Sequence, residues 1–389
     1  MSNIFYTEEE LAFRDEVRAF CKKELVPFEE EIQKNNTYRK DLLRKIGEAG
    51  YMSTHHDVGF GKHVGKGLVY ETIVAEEISA VCAGLDMTRM ASATLFGKPV
   101  ARFGTPDQIA KYLMPVLSGE KIGAIGITEP NVGSDVAGME TYATKDGDDY
   151  ILNGHKYFIT NGSQADFLCV FAITDKSVNP KKGMSAFIVE NTMPGFSVIK
   201  DIDLMGMAGA RVSELAFKDI RLSKDHLLGE LNHGFGILMD ELDSERVAIA
   251  GECLGYARPA LEAAIKYSEE RIQFKKPIKF FEGVSFQIAD CAIEFEAARL
   301  LTLKAARAYD NGQKITKEAG MAKVYAAEMA VRVCDRAVAI LGGRGYEIDY
   351  KVERYYRDAR LMMIGGGTVE ILRFLIQREV YKDFTGEYW

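Results

Sequence analysis

The runs FLCVFAIT (167–174) and MSAFIVE (184–190) are short, rich in β-branched and aromatic residues, and bounded by Gly, Asn, Asp and Pro. AIGIT (124–128), YILNGHKYFIT (150–160) and ELAFKDIRL (214–222) around them have the same texture. Together they predict an antiparallel β domain over 121–233. The chain reads as helical on both sides. Within 1–120, residues 8–30 carry Leu11, Val17, Phe20, Leu25 and Phe28 in a loose helical stripe, with Thr7 as N-cap and Glu10 as its capping-box partner. A second long helical pattern covers 69–96, and Gly104-Thr105-Pro106 is a turn before another helix start, since Pro is tolerated in a first turn. Within 234–389, residues 247–272 and 286–312 show helical periodicity and good propensity, and Asn311-Gly312 is a stop signal. The expected fold is therefore mainly α with a central β domain, in α–β–α order. Several helices are apolar on more than one face, which favours packing on further helices within the chain or in an oligomer.

The 389 residues hold 49 Lys and Arg against 57 Asp and Glu, a net charge of −8, with 47% hydrophobic residues. This is a globular composition, and its acidity argues against a duplex nucleic-acid binder, which needs a basic face. No apolar run is long enough for a membrane span. The start, MSNIFYTEEELAFRDEV, is acidic and amphipathic, unlike a secretory or Arg-rich transit segment. Six scattered cysteines without a C-x-x-C read as reduced core thiols of a cytoplasmic protein, and the six histidines show no metal-ligand spacing.

Three constellations carry chemistry. In ITEPNVGSD (127–135) a strand end runs into a turn whose amides and hydroxyls suit a polar heterocycle or phosphate. In KYFITNG (156–162), Phe158 and Thr160 share one face of a strand, an aromatic ring and a hydroxyl suited to a flat ligand. LGGRGY (341–346), then Arg357-Asp358, then IGGGT (364–368) provide glycines for close backbone approach. A dinucleotide fingerprint is excluded, because no strand precedes these glycines and the G-x-G-x-x-G spacing is absent.

In order and spacing, these motifs together with R-x-x-F at 271–274 resemble the FAD-dependent acyl-CoA dehydrogenases over nearly the whole chain. The resemblance implies three domains (helical, β-barrel-like, helical bundle), a homotetramer, FAD between the β domain and the C-terminal helices, and an electron-transfer flavoprotein as acceptor. Ile125, Thr128, Phe158, Thr160 and Thr368 match positions that line the flavin, and Gly342 and Gly343 fall with the cofactor set. Ser134 matches a position touching flavin and CoA. Arg271, Gln273 and Phe274 match positions that reach a neighbouring subunit's FAD. Asp243 and Arg246 match residues near the CoA pantetheine, or form a salt-bridged helix pair. Two usual Gln contacts are replaced, by Glu282 and Ala339.

A third departure bears on the reaction. Where most of the family reads Tyr-Glu-Gly-Thr, with the Glu as base for the α-proton, this chain reads Gly365-Gly366-Gly367-Thr368. Gly366 keeps only a backbone N–H, which in the family polarises the thioester carbonyl. The reaction still needs a base. Glu245 matches the base position of some members acting on branched or long chains; its other reading is an exposed helix-start carboxylate or a partner for an Arg. Asp86 has Cys82, Arg89, Met90 and Ala93 at helical spacing, where desolvation would raise its pKa; its other reading is an ion pair with Arg89. With Asp86 as base the chain resembles the cyclohex-1-ene-1-carboxyl-CoA dehydrogenases, which perform a 1,4-elimination to a cyclic diene. With Glu245 the expectation is 1,2-dehydrogenation of a short, branched or saturated alicyclic acyl-CoA. A catalytically silent CoA-binding paralogue is the third reading.

Overall fold

The structure is a computed structural model and describes residues 5–387; residues 1–4, the beginning of the stretch read above for a leader, and 388–389 lie outside the described residues. Thr7 caps α1 (Glu8–Phe20) in the expected reciprocal box with Glu10. The helix predicted over 8–30 does not run through. It passes into a π-helical turn at Cys21–Leu25 and a 3-10 turn at Val26–Phe28 before α2 (Glu29–Asn35), because Pro27 has no N–H to give and its ring crowds the preceding turn.

After α3 (Lys40–Glu48), the pattern over 69–96 also divides, into α4 (Leu68–Ser79), α5 (Ala83–Met90) and a π-helical stretch at Ala91–Phe96. The break is at Cys82, whose backbone is extended, and it brings Gly84 against Ala208 O, 2.2 Å from where a Cβ would stand. α6 (Gly97–Phe103), α7 (Pro106–Gln108) and α8 (Met114–Leu117) follow, with Thr105 and Gln108 forming a second capping box at the predicted helix start.

The middle strands are β1 (Gly123–Gly126), β2 (Tyr142–Asp146), β3 (Asp149–Thr160), β4 (Phe167–Ile173), β5 (Met184–Glu190), β6 (Phe196–Asp201), β7 (Val212–Leu222) and β8 (Leu227–Leu228), with the short α9 (Pro180–Gly183) ahead of β5. They form one sheet in the order β6-β7-β3-β2-β4-β5-β8, with β1 on β4. The expectation of an antiparallel domain is corrected in one respect: β1 and β2 run parallel to β4. No tight turn joins either of them to β4, so nothing local enforces antiparallel pairing.

The C-terminal part comprises α10 (Gly234–Glu270), a hairpin of β9 (Ile272–Gln273) and β10 (Lys276–Pro277), α11 (Glu282–Asp310), α12 (Thr316–Leu341), α13 (Val352–Leu361) and α14 (Val369–Thr385). α10 is buried without interruption from Ser244 to Ala257, which explains its apolar character on every face. Gly251 and Gly255 let it lie on α4: Cβ atoms there would stand 2.8 Å from Thr72 O and 2.0 Å from Ser79 Oγ. All six cysteines are unpaired and buried. Among the described residues, no helix is long and apolar enough to cross a membrane.

Candidate active site

The β side of the site is anchored by a buried ion pair. Glu129 accepts from the backbone N–H of Glu140 and Thr141 and from Lys156 Nζ at 2.8 Å, while Lys156 Nζ also reaches Ile127 O. Burial pushes Lys156 down to about 8, with Glu129 opposing. The Tyr157 N–H donates to Thr128 O, so the ITEP segment is tied to β3. The simple alternation expected for Phe158 and Thr160 is interrupted. The register slips between Lys156 and Ile159, and Phe158 takes φ +56°, leaving its ring 56% exposed at a bulge. Asn161, buried, donates its amide to Thr88 O, Ser92 Oγ and Gly123 O, fixing this lip on α5 and the π-helical stretch.

Around the lip, Ile125 is buried in β1, and Ser134 is exposed beside Gly133, where a Cβ would meet nothing within 4 Å. In the C-terminal part, Gly342 and Gly343 at the end of α12 are equally open, and Thr368 caps α14 with its hydroxyl on Ile371 N–H. The exposed Phe158 ring on strained backbone fits a flat heterocycle, and the open glycines at 133, 342 and 343 leave backbone accessible to phosphates. Asp358 has a structural task instead: it accepts the Met207 N–H at 2.6 Å and sits 2.6 Å from where a Gly206 Cβ would stand.

The helical side centres on Gly366, at φ +66°. A Cβ there would come within 2.5 Å of Ile249 Cδ1 and 3.8 Å of Glu245 Oε1 and Lys323 Cε. Position 366 therefore faces Ile249, with the Glu245 carboxyl and the Lys323 side chain equally near behind it. Glu245 is buried well inside α10, not exposed at a helix start, and its Oε2 accepts no hydrogen bond. Burial pushes it up to about 6, partly offset by Arg246, Lys323 and Lys98. Lys323 donates to Gly367 O at 2.7 Å, and burial pushes it down to about 8. Arg246 pairs with Asp243 at 3.0 Å and also reaches Gly366 O, while Asp243 accepts from the Thr316 hydroxyl. The salt-bridged helix pair is thus formed, and Arg246 links it to the loop.

Asp86 lies elsewhere in the interior. It accepts from Arg89 Nε at 2.5 Å, and Arg89 Nη1 also donates to Glu71 Oε1 at 2.7 Å. Burial pushes Asp86 up to about 6, against the pull of Arg89. Arg271, Gln273 and Phe274 are not brought to this loop. They occupy the exposed β9–β10 hairpin, 26 helical residues, or about 39 Å, beyond Glu245. Glu282 and Ala339 lie at the start of α11 and near the end of α12.

Three family models match the chain: acyl-CoA dehydrogenase, N-terminal domain (residues 7–120), middle domain (124–220) and C-terminal domain (232–381). The chain belongs to the acyl-CoA dehydrogenase family. The members of this family are FAD-binding oxidoreductases. The bovine short-chain specific acyl-CoA dehydrogenase, mitochondrial, is 39% identical over 95% of this chain and 90% of its own. The structure of butyryl-CoA dehydrogenase from Megasphaera elsdenii superposes with a TM-score of 0.92 at 37% identity, covering 97% of this chain and 99% of that one. A chain solved under the description "Electron transferring flavoprotein of Acidaminococcus fermentans" reaches 0.93 at 40% identity, with the same coverage.

Sequence reasoning missed Lys323 and Glu252. Lys323 had one signal, a lone charge among the small apolar residues of AGMAKVYAA (319–327). Glu252 likewise stands in an apolar run, VAIAGECLGY (247–256), and is buried.

Proposed function

We propose that this acyl-CoA dehydrogenase removes the α-proton of a short or branched acyl-CoA with Glu245. The observation that carries this reading is the placement of Glu245 Oε1 at 3.8 Å from the missing Cβ of Gly366, with Oε2 free. The base has moved from the loop to α10, and the same volume is served from the other side. A side chain at position 366 would meet Ile249 Cδ1 first and Glu245 Oε1 at ordinary contact distance behind it. Gly366 N–H polarises the thioester carbonyl, which acidifies the α-carbon. Arg246 and Lys323 hold the loop carbonyls of Gly366 and Gly367 and so aim that N–H. As the α-proton passes to Glu245, bound FAD supplies the acceptor for the β-hydride.

Thr128, Ser134, Phe158, Thr160, Gly342, Gly343 and Thr368, with Ile125 behind them, form the FAD cradle in this reading, and Asp243 with Arg246 the pantetheine end. The hairpin residues Arg271, Gln273 and Phe274 serve a neighbouring subunit of a homotetramer. Their distance from Glu245 along α10 and the 88% exposure of Phe274 support this. An electron-transfer flavoprotein is the acceptor, supported by the likeness to the Acidaminococcus chain. The domain division at 121 and 234 and a cytoplasmic setting belong to the same reading.

The second reading, Asp86 as base for a cyclic enoyl thioester, is favoured by the elevation of Asp86 to about 6. It is weaker because Asp86 is hydrogen-bonded to Arg89. Anaerobic flavin reduction by butyryl-, isovaleryl- and cyclohex-1-ene-1-carboxyl-CoA decides. Glu245→Gln is expected to abolish reduction by the first two and Asp86→Asn to spare it. Loss in Asp86→Asn with retention in Glu245→Gln would establish the cyclic reading. A flavin that no acyl-CoA bleaches would establish the silent paralogue.

A further inference from the structure

Seven residues beyond Glu245 on α10 stands Glu252. Seven residues are almost two full turns, so both carboxyls share one helix face, about 10 Å apart along the axis. Ile249, which touches the Gly366 position, lies between them. On the Glu245 reading, an acyl chain that follows this face of α10 past Ile249 runs toward Glu252. That end of the path is polar. Glu252 faces Asp86 of α5 closely enough for one shared proton, and burial with the neighbouring Asp86 carboxyl holds Glu252 well above its usual range. Tyr256 stands one turn further on the same helix face, close enough for both carboxyl charges to raise its pKa. All of these side chains, and Arg89, are fully or almost fully buried. With the two carboxyls joined by that proton, Arg89 Nη2 and the Tyr256 hydroxyl are left without a hydrogen bond within the chain.

Orphaned buried groups each cost about 1–3 kcal/mol, and the Arg89 guanidinium nitrogen and the Tyr256 hydroxyl, beside a carboxyl pair that shares its proton, imply a group that satisfies them. A hydrocarbon tail would leave them unpaired. A carboxylate would meet Asp86 and Glu252 against a guanidinium already shared with Glu71. A hydroxyl both donates to a carboxylate oxygen and accepts from Arg89 or Tyr256.

We propose that Asp86, Arg89, Glu252 and Tyr256 form a hydrogen-bonding floor of the acyl pocket that selects acyl groups bearing a distal hydroxyl. This rests on the assignment of Glu245 as base, because it takes the acyl direction from that residue. The test is calorimetric binding of three enoyl products to the FAD-loaded enzyme: hex-2-enoyl-CoA, 6-hydroxyhex-2-enoyl-CoA and 5-carboxypent-2-enoyl-CoA. The hydroxylated ligand is expected to bind at least about tenfold more tightly than either of the others. Glu252→Leu should bring that preference below about twofold, and Tyr256→Phe should weaken it in a variant whose fold is less at risk. Flavin absorbance serves as the check on folding. Equal binding of the hydroxylated and plain ligands, or a preference for the carboxylate, overturns the floor. Equilibrium binding needs no base, so Glu245→Gln should keep the preference while flavin reduction is lost. If wild type binds selectively but no acyl-CoA reduces its flavin, the base assignment fails and the floor stands. No binding of any of the three overturns both.

Discussion

Asp86 and Glu245 are both fully enclosed carboxyls, and burial pushes each up to about 6. Their surroundings differ in kind. Glu245 has three cations nearby, Arg246, Lys323 and Lys98, each engaged elsewhere: with Asp243, with Gly367 O, and with Asp240 O and Ser244 Oγ. Asp86 stands in the middle of a chain, between Arg89 and the Glu252 carboxyl with which it shares a proton. Arg89 donates to it and to Glu71, and Glu71, despite burial, is held down to about 2 by Arg89, His55 and the Thr54 hydroxyl. An elevated pKa is therefore common to a base and to a structural acid. What separates them is a free oxygen facing the loop where the thioester carbonyl is activated.

The sharpest break in this comparison is at Glu245. Glu245→Gln should lower the rate of flavin reduction by about 10³-fold or more with the FAD spectrum intact, while Asp86→Asn should cost less than tenfold. In wild type, kcat/KM should rise with pH and level off above about 6, because the carboxyl must lose its proton before it can accept one. That limb should vanish in Glu245→Gln and persist in Asp86→Asn. The Asp86 side is tested on stability instead. Arg89→Met leaves Asp86 and Glu71 without their shared cation in a dry interior and should destabilise the fold by about 3 kcal/mol or more, read by urea unfolding.

The legible parts of the molecule were those decided by near neighbours. Thr7 with Glu10 is a capping box visible at a spacing of three residues, and the helix start read at Gly104-Thr105-Pro106 is there too, closed by a box of Thr105 with Gln108. The β texture of 150–160 is local as well. The breaks in the two long helical patterns differ in this respect. Pro27 carries its own signal, whereas the break at Cys82 serves a contact between Gly84 and Ala208, more than a hundred residues away. Parallel pairing of β1 with β4 is likewise set by chain path, which periodicity does not record. At the site, Glu245 could be named from its motif neighbourhood but not placed, since its environment comes from Ile249 on its own helix and from Gly366 and Lys323 far along the chain. Lys323 was hidden for the same reason: its hydrogen-bond partner is a backbone carbonyl, which has no sequence signature.

Lys323 offers a finer test of the difference. Its charge favours the ionised form of Glu245, so Lys323→Met should move the acidic limb of the pH profile to higher pH, with a rate loss of up to about tenfold below the new midpoint and little loss on the plateau. A loss uniform across pH would mean that Lys323 acts only by holding Gly367. Glu241 gives the smallest effect and the cleanest control. It stands one turn before Glu245 on α10, fully buried, and neither of its carboxyl oxygens accepts a hydrogen bond. Burial drives it well above its usual range, with Lys98 opposing and Glu245 adding to the rise, which favours its neutral form. A neutral carboxyl and a carboxamide differ little in size and charge. Glu241→Gln should therefore change stability by about 1 kcal/mol or less and leave the pH limb of Glu245 in place. A large downward shift of that limb would show that Glu241 carries charge in the working enzyme, and that the pair on α10, rather than Glu245 alone, holds the proton.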